Sequence, residues 1–69
     1  MPREVLRIHY FVAELVLLEY PGERFVIEVF WHQDYCYEKL AETPNANIAI
    51  GILLKAMRNL SLFYKYSSI

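Results

Sequence analysis

The chain has 69 residues, of which 57% are hydrophobic and eleven are Phe, Tyr or Trp, with a single Cys and a net charge of −1. One Cys excludes an internal disulfide, no Cys/His spacing resembles a zinc finger, and no apolar run is long enough to span a membrane. A pI near 6.1 exerts no overall pull towards nucleic acid or anionic lipid.

Residues 5–20, VLRIHYFVAELVLLEY, form the first apolar segment and fit two periods. As a strand, the segment folds back at Tyr20-Pro21-Gly22-Glu23, where Pro followed by Gly suits a type II turn. That hairpin sets Glu19 beside Arg24, Leu18 beside Phe25 and Val16 beside Ile27. As a helix, Val5, Ile8, Val12, Leu15 and Val16 gather opposite Arg3, Arg7 and Glu14. The hairpin is the preferred reading, because a helix here leaves the next segment as a lone strand.

That next segment, RFVIEVFW over residues 24–31, is β-branched and aromatic and reads as a strand. Phe25, Ile27, Val29 and Trp31 point to one side, and Val26, Glu28 and Phe30 to the other. A short helical turn is then expected over Asp34–Glu42, capped by Asp34. After it, Thr43 is placed to cap a helix, with Pro44 at its first position. From Ala46 onward, Ala49, Ile52, Leu53, Ala56, Met57, Leu60, Phe63 and Tyr64 share one arc of that helix, opposite Lys55, Arg58, Ser61 and Lys65. Gly51 lowers its propensity and marks a possible close approach of a neighbouring backbone.

The expected architecture is therefore one α+β domain over residues 1–69. It is a ββα or ββαα layer with an N-terminal β-hairpin and a C-terminal amphipathic helix. The alternative is α-β-α with the lone strand pairing across a dimer.

His32-x-Asp34-x-Cys36 is the densest group of reactive side chains. A thiolate nucleophile needs a His within hydrogen-bond reach, and alternate residues of a strand stand about 7 Å apart. The spacing thus favours Cys36 as a small buried residue, Asp34 as a cap and His32 as a strand-end surface residue. His9, within IHYF, reads as a hydrogen-bonded structural histidine. Met1-Pro2 resembles the small tautomerases, whose N-terminal proline amine does chemistry, in that dipeptide alone. Catalysis by Pro2 or Cys36 is a minor alternative. With two glycines and no Walker, dinucleotide-binding or HExxH pattern, no cofactor, metal or catalytic residue is expected.

So many apolar residues on a short chain leave a surface patch that marks an interface. The leading expectation is a non-enzymatic protein-interaction module, a homodimer or accessory subunit that contacts its partner through Phe30, Trp31, Tyr35 and Tyr37. The alternative is a dimeric nucleic-acid-binding regulator using Lys55, Arg58 and Lys65. The absence of a signal-peptide pattern and the single Cys point to the cytoplasm.

Overall fold

Five elements follow one another in the computed structural model, which describes the backbone of residues 1–67 and the side chains of residues 1–60. They are β1 (Arg3–His9), β2 (Ala13–Tyr20), β3 (Arg24–Trp31), β4 (Cys36–Thr43) and α1 (Ala46–Ser67). The strands form one antiparallel sheet in the order β1-β2-β3-β4, each paired with its neighbour in sequence. The chain is a small α+β arrangement, a four-stranded sheet followed by one helix, with α1 packed against β2, β3 and β4.

Residues 5–20 are not one strand, and they are not a helix. They belong to β1 and β2, separated by a tight turn at residues 10–12 that contains neither Gly nor Pro. Backbone bonds hold this turn. The Tyr10 N–H donates to the Ala13 carbonyl at 2.8 Å, and the Val12 carbonyl accepts from the His32 N–H at 3.1 Å. The second bond reaches across from another turn, so nothing local in the sequence marks the break.

Between β2 and β3 the turn falls at Pro21-Gly22 as expected, and Gly22 has the positive φ of +85° that a type II turn requires. The register, however, differs from the expected one. Tyr20 faces Arg24, Glu19 faces Phe25 and Leu17 faces Ile27. A two-residue type II loop would splay the strands. The chain adds Glu23, also left-handed at φ +57°, to the loop. This one-residue shift aligns Leu15 with Val29, Leu17 with Ile27 and Ala13 with Trp31 on the helix side.

Residues 36–43 form a strand and not a helical turn. Glu, Lys, Leu and Ala within YEKLAE favour a helix locally. Here the free edge of β3 supplies a ladder of partners and overrides that preference.

The helix-side core consists of Ala13, Leu15 and Leu17 from β2, Ile27 and Val29 from β3, and Ala49, Leu53 and Leu60 from α1. Val16 and Val26 lie on the opposite face and are buried as well. Val16 is in register between Arg7 and Glu28, and Val26 between Leu18 and Glu42. That face carries ion pairs of Arg7 with Glu4 and Glu14, and of Arg24 and Lys39 with Glu42.

The helix cap is Asn45 and not Thr43. The Asn45 Oδ1 accepts from the backbone N–H groups of Asn47 at 2.8 Å and Ile48 at 3.0 Å. Thr43 lies two residues earlier, buried, its hydroxyl accepting from the Asn45 N–H at 3.2 Å. Because Thr43 ends β4, Pro44 falls before the cap. Replacing Asn45 by Ala leaves two N–H groups without their acceptor and is expected to lower stability by about 1 kcal/mol, read as a shift in urea midpoint at constant slope. A change within error would place the cap elsewhere. Gly51 is not approached by any neighbouring backbone of this chain: a Cβ built there would meet nothing within 4 Å, so the glycine opens outward.

Candidate interaction surface

In an up-and-down sheet, alternate turns fall at the same end. The β1–β2 turn at residues 10–12 and the β3–β4 turn at residues 32–35 therefore sit side by side, bridged by the His32 N–H. The His32 ring strengthens the bridge. Its Nδ1 lies 3.3 Å from the Phe11 carbonyl oxygen, and its Nε2 lies 2.9 Å from Glu14 Oε2. Both neighbours are acceptors, so the ring makes both bonds only when it donates from both nitrogens.

Glu14 is the hub of this end. It accepts from Arg7 Nη1 as well as from His32, and its side chain is only 18% exposed. The Arg7 bond first, and the His32 bond second, hold the Glu14 carboxyl below the usual carboxylate range. Arg7 also binds Glu4 at 3.0 Å and donates to the Tyr37 hydroxyl at 3.4 Å, which links β1 to β4 across the sheet face. His9 is exposed, its Nδ1 3.7 Å from Glu14 Oε1, and is at the margin of the cluster rather than in a core.

Phe30 occupies the centre of the aromatic part. Its ring centroid is 4.8 Å from Tyr37 and approaches His32 and Tyr35 edge-on at 5.7 and 6.3 Å. Phe11, Tyr35 and Tyr37 remain 79%, 83% and 54% exposed. Tyr35 adopts a positive φ of +52°, a conformation that bulky residues rarely take, and its N–H donates to the Trp31 carbonyl at 2.9 Å.

Three of the four aromatics expected to act together, Phe30, Tyr35 and Tyr37, do meet. Trp31 does not join them. It faces the helix side, packs against the core and donates from Nε1 to Glu38 at 3.1 Å. Phe11 is exposed at this same end, beside Trp31 and His32, a residue no sequence signal singled out, because the turn that exposes it carries no turn residue.

The His32-Asp34-Cys36 triplet is dispersed. His32 turns to Glu14, Asp34 sits exposed in the β3–β4 turn without capping a helix, and Cys36 opposes Trp31. Cys36 is exposed and not buried, because its segment is an edge strand. Among the described residues, no three His, Cys, Asp or Glu side chains are grouped to hold a metal ion. Pro2 lies exposed ahead of β1. Lys55 and Arg58 lie exposed on α1, and the side chain of Lys65 falls outside the described residues.

Comparison of the chain with protein-family models, curated proteins and solved structures finds no significant match.

Proposed function

We infer that the protein is a small interaction module whose aromatic rim, Phe11, Phe30, Tyr35 and Tyr37, is the contact surface, and that a second copy is its first partner. The observation that carries this reading is Tyr35. A non-glycine residue in the left-handed region costs about 1–2 kcal/mol, which Gly would avoid and Asn would reduce. The ring recovers little inside the chain, since it stays 83% exposed and meets Phe30 only by its edge. A strained, exposed tyrosine that shares the Phe30 ring with a second exposed tyrosine, Tyr37, matches the composition of interface centres.

The sheet edges are poorer surfaces for self-association. β1 breaks register at Val5 and β4 at Leu40, and such irregularities blunt pairing between edges. The rim is also well anchored, since Arg7, Glu14 and His32 tie its turns together before any partner arrives. An accessory subunit docking on a larger protein would use the same patch.

Sedimentation velocity over a concentration series tests the reading. The wild type is expected to dimerise, and Tyr35→Asn combined with Tyr37→Ser to weaken the dimer at least about tenfold. Tyr35→Asn alone is expected to leave the urea midpoint unchanged, or to raise stability by up to about 1 kcal/mol, because Asn tolerates the backbone better. A wild-type chain that stays monomeric at high micromolar concentration would remove self-association. A dimer indifferent to both tyrosines would move the interface off the rim.

A further inference from the structure

We propose that the outward face of α1 is a docking surface for an anionic lipid bilayer, with the helix lying along the interface and the sheet turned towards water. The net charge of −1 conceals a segregation by element. All eight carboxylates and four of the seven cations precede residue 46, which leaves the sheet part at −4. The remaining residues carry three cations and no acid.

The two groups of cations also differ in their surroundings. In the sheet, Arg3, Arg7, Arg24 and Lys39 each have a carboxylate partner. On α1, among the described residues, Lys55 and Arg58 have none. They share the outward face with Ile48, Ile50 and Leu54, which are 54%, 48% and 58% exposed, and with Gly51, above which lies open space. Each of these five side chains would be easier to explain if something covered it.

The occupant must therefore supply negative charge and hydrocarbon together. A bilayer containing anionic lipid does so, with head groups for Lys55 and Arg58 and the acyl boundary for Ile48, Ile50 and Leu54. A nucleic-acid backbone would satisfy the cations and leave the apolar side chains in water. A second copy fits less well. Among the described residues, the carboxylates of the sheet part without a cation partner include Glu23 in the β2–β3 turn, Glu28 within β3 and Asp34 in the opposite turn, too dispersed to meet one helix face. No described helix is long and apolar enough to cross a membrane, so the contact is interfacial. It lies on a different element from the aromatic rim and stands independently of it.

The experiment is co-sedimentation of the full chain with sucrose-loaded vesicles. One set is phosphatidylcholine alone and the other contains about one third phosphatidylserine. Binding is expected only to the anionic set, and it should weaken as salt is raised. Each basic residue near such a surface contributes about fivefold in partitioning, so Lys55→Glu with Arg58→Glu is expected to lower binding by more than tenfold. Leu54→Ser should also weaken it. All three positions are exposed, and unchanged far-ultraviolet circular dichroism confirms that the variants fold.

Failure to bind anionic vesicles at low salt overturns the proposal. So does equal binding to neutral vesicles that ignores the charge reversal. Binding of a DNA or RNA oligonucleotide that displaces vesicles and is insensitive to Leu54→Ser would assign the face to nucleic acid instead.

Discussion

Replacing Ile27 by Ala is expected to destabilise the protein by about 2–5 kcal/mol, measured by urea unfolding. Ile27 is fully buried at the middle of β3, in register between Leu17 and Ala41 and facing the helix. The side chain loses its burial, and a sheet held on both sides cannot collapse into the space left. At roughly 0.05–0.15 kcal/mol per residue, a chain of this length has about 3–10 kcal/mol in total. The variant should therefore be substantially unfolded, or unfold in low urea. Leu54→Ala, on the exposed side of α1, serves as the control and should stay within about 0.5 kcal/mol of wild type. The same site tests the register. Leu17 and Ile27 should couple in a double-mutant cycle by at least about 0.5 kcal/mol, whereas Val16 and Ile27, on opposite faces, should be nearly additive. Coupling to Val16 in place of Leu17 would mean that the strands pair one residue out of step.

Acid should loosen the aromatic end of the sheet before it reaches the core, through Glu14. Arg7 and His32 lower the carboxyl's affinity for protons in the folded chain below the ordinary value of 4.5. A carboxylate depressed in this way adds stability that is fully present above its unfolded value. That stability is lost as the pH falls below about 4.5 and through the lower folded value. Urea midpoints of the wild type should therefore decline from neutral pH to below 4. Glu14→Gln should begin lower at neutral pH and decline less, because the group that titrates has been removed. Fluorescence of Trp31 follows the neighbouring β3–β4 turn during the same titration. A Glu14→Gln chain whose pH profile matches the wild type in height and slope would show that the Arg7–Glu14–His32 cluster contributes nothing to the fold.

Much of the architecture was legible along the chain. RFVIEVFW has no competing period, and Pro21-Gly22 admits few conformations, so β3 and the turn before it could be placed from local chemistry. The long apolar arc from Ala49 through Leu60 likewise marks a helix with one buried side. Two strands were missed for different reasons. The break at residues 10–12 is made by backbone bonds to Ala13 and His32 instead of by a turn residue. YEKLAE is a segment of helical composition recruited into an edge. The proposed contact surface follows the same division. Phe30, Tyr35 and Tyr37 could be nominated by type and proximity in sequence. Phe11 and the partners Arg7 and Glu14 could not, because they come from a turn and from the two strands it separates, and the sequence hides that separation.

The sequence by itself determined the class of the fold, the location of its helix and the surplus of aromatic side chains, since composition and periodicity act within a few residues. Only the tertiary structure decided which strands pair, and in what register. It also decided that Trp31 turns inward while Tyr35 is held outward in a strained turn, and that Lys55 and Arg58 have, among the described residues, none of the carboxylates that accompany each cation of the sheet. Those outcomes depend on bonds between residues distant in the chain, where the free edge of a neighbouring strand outweighs local preference.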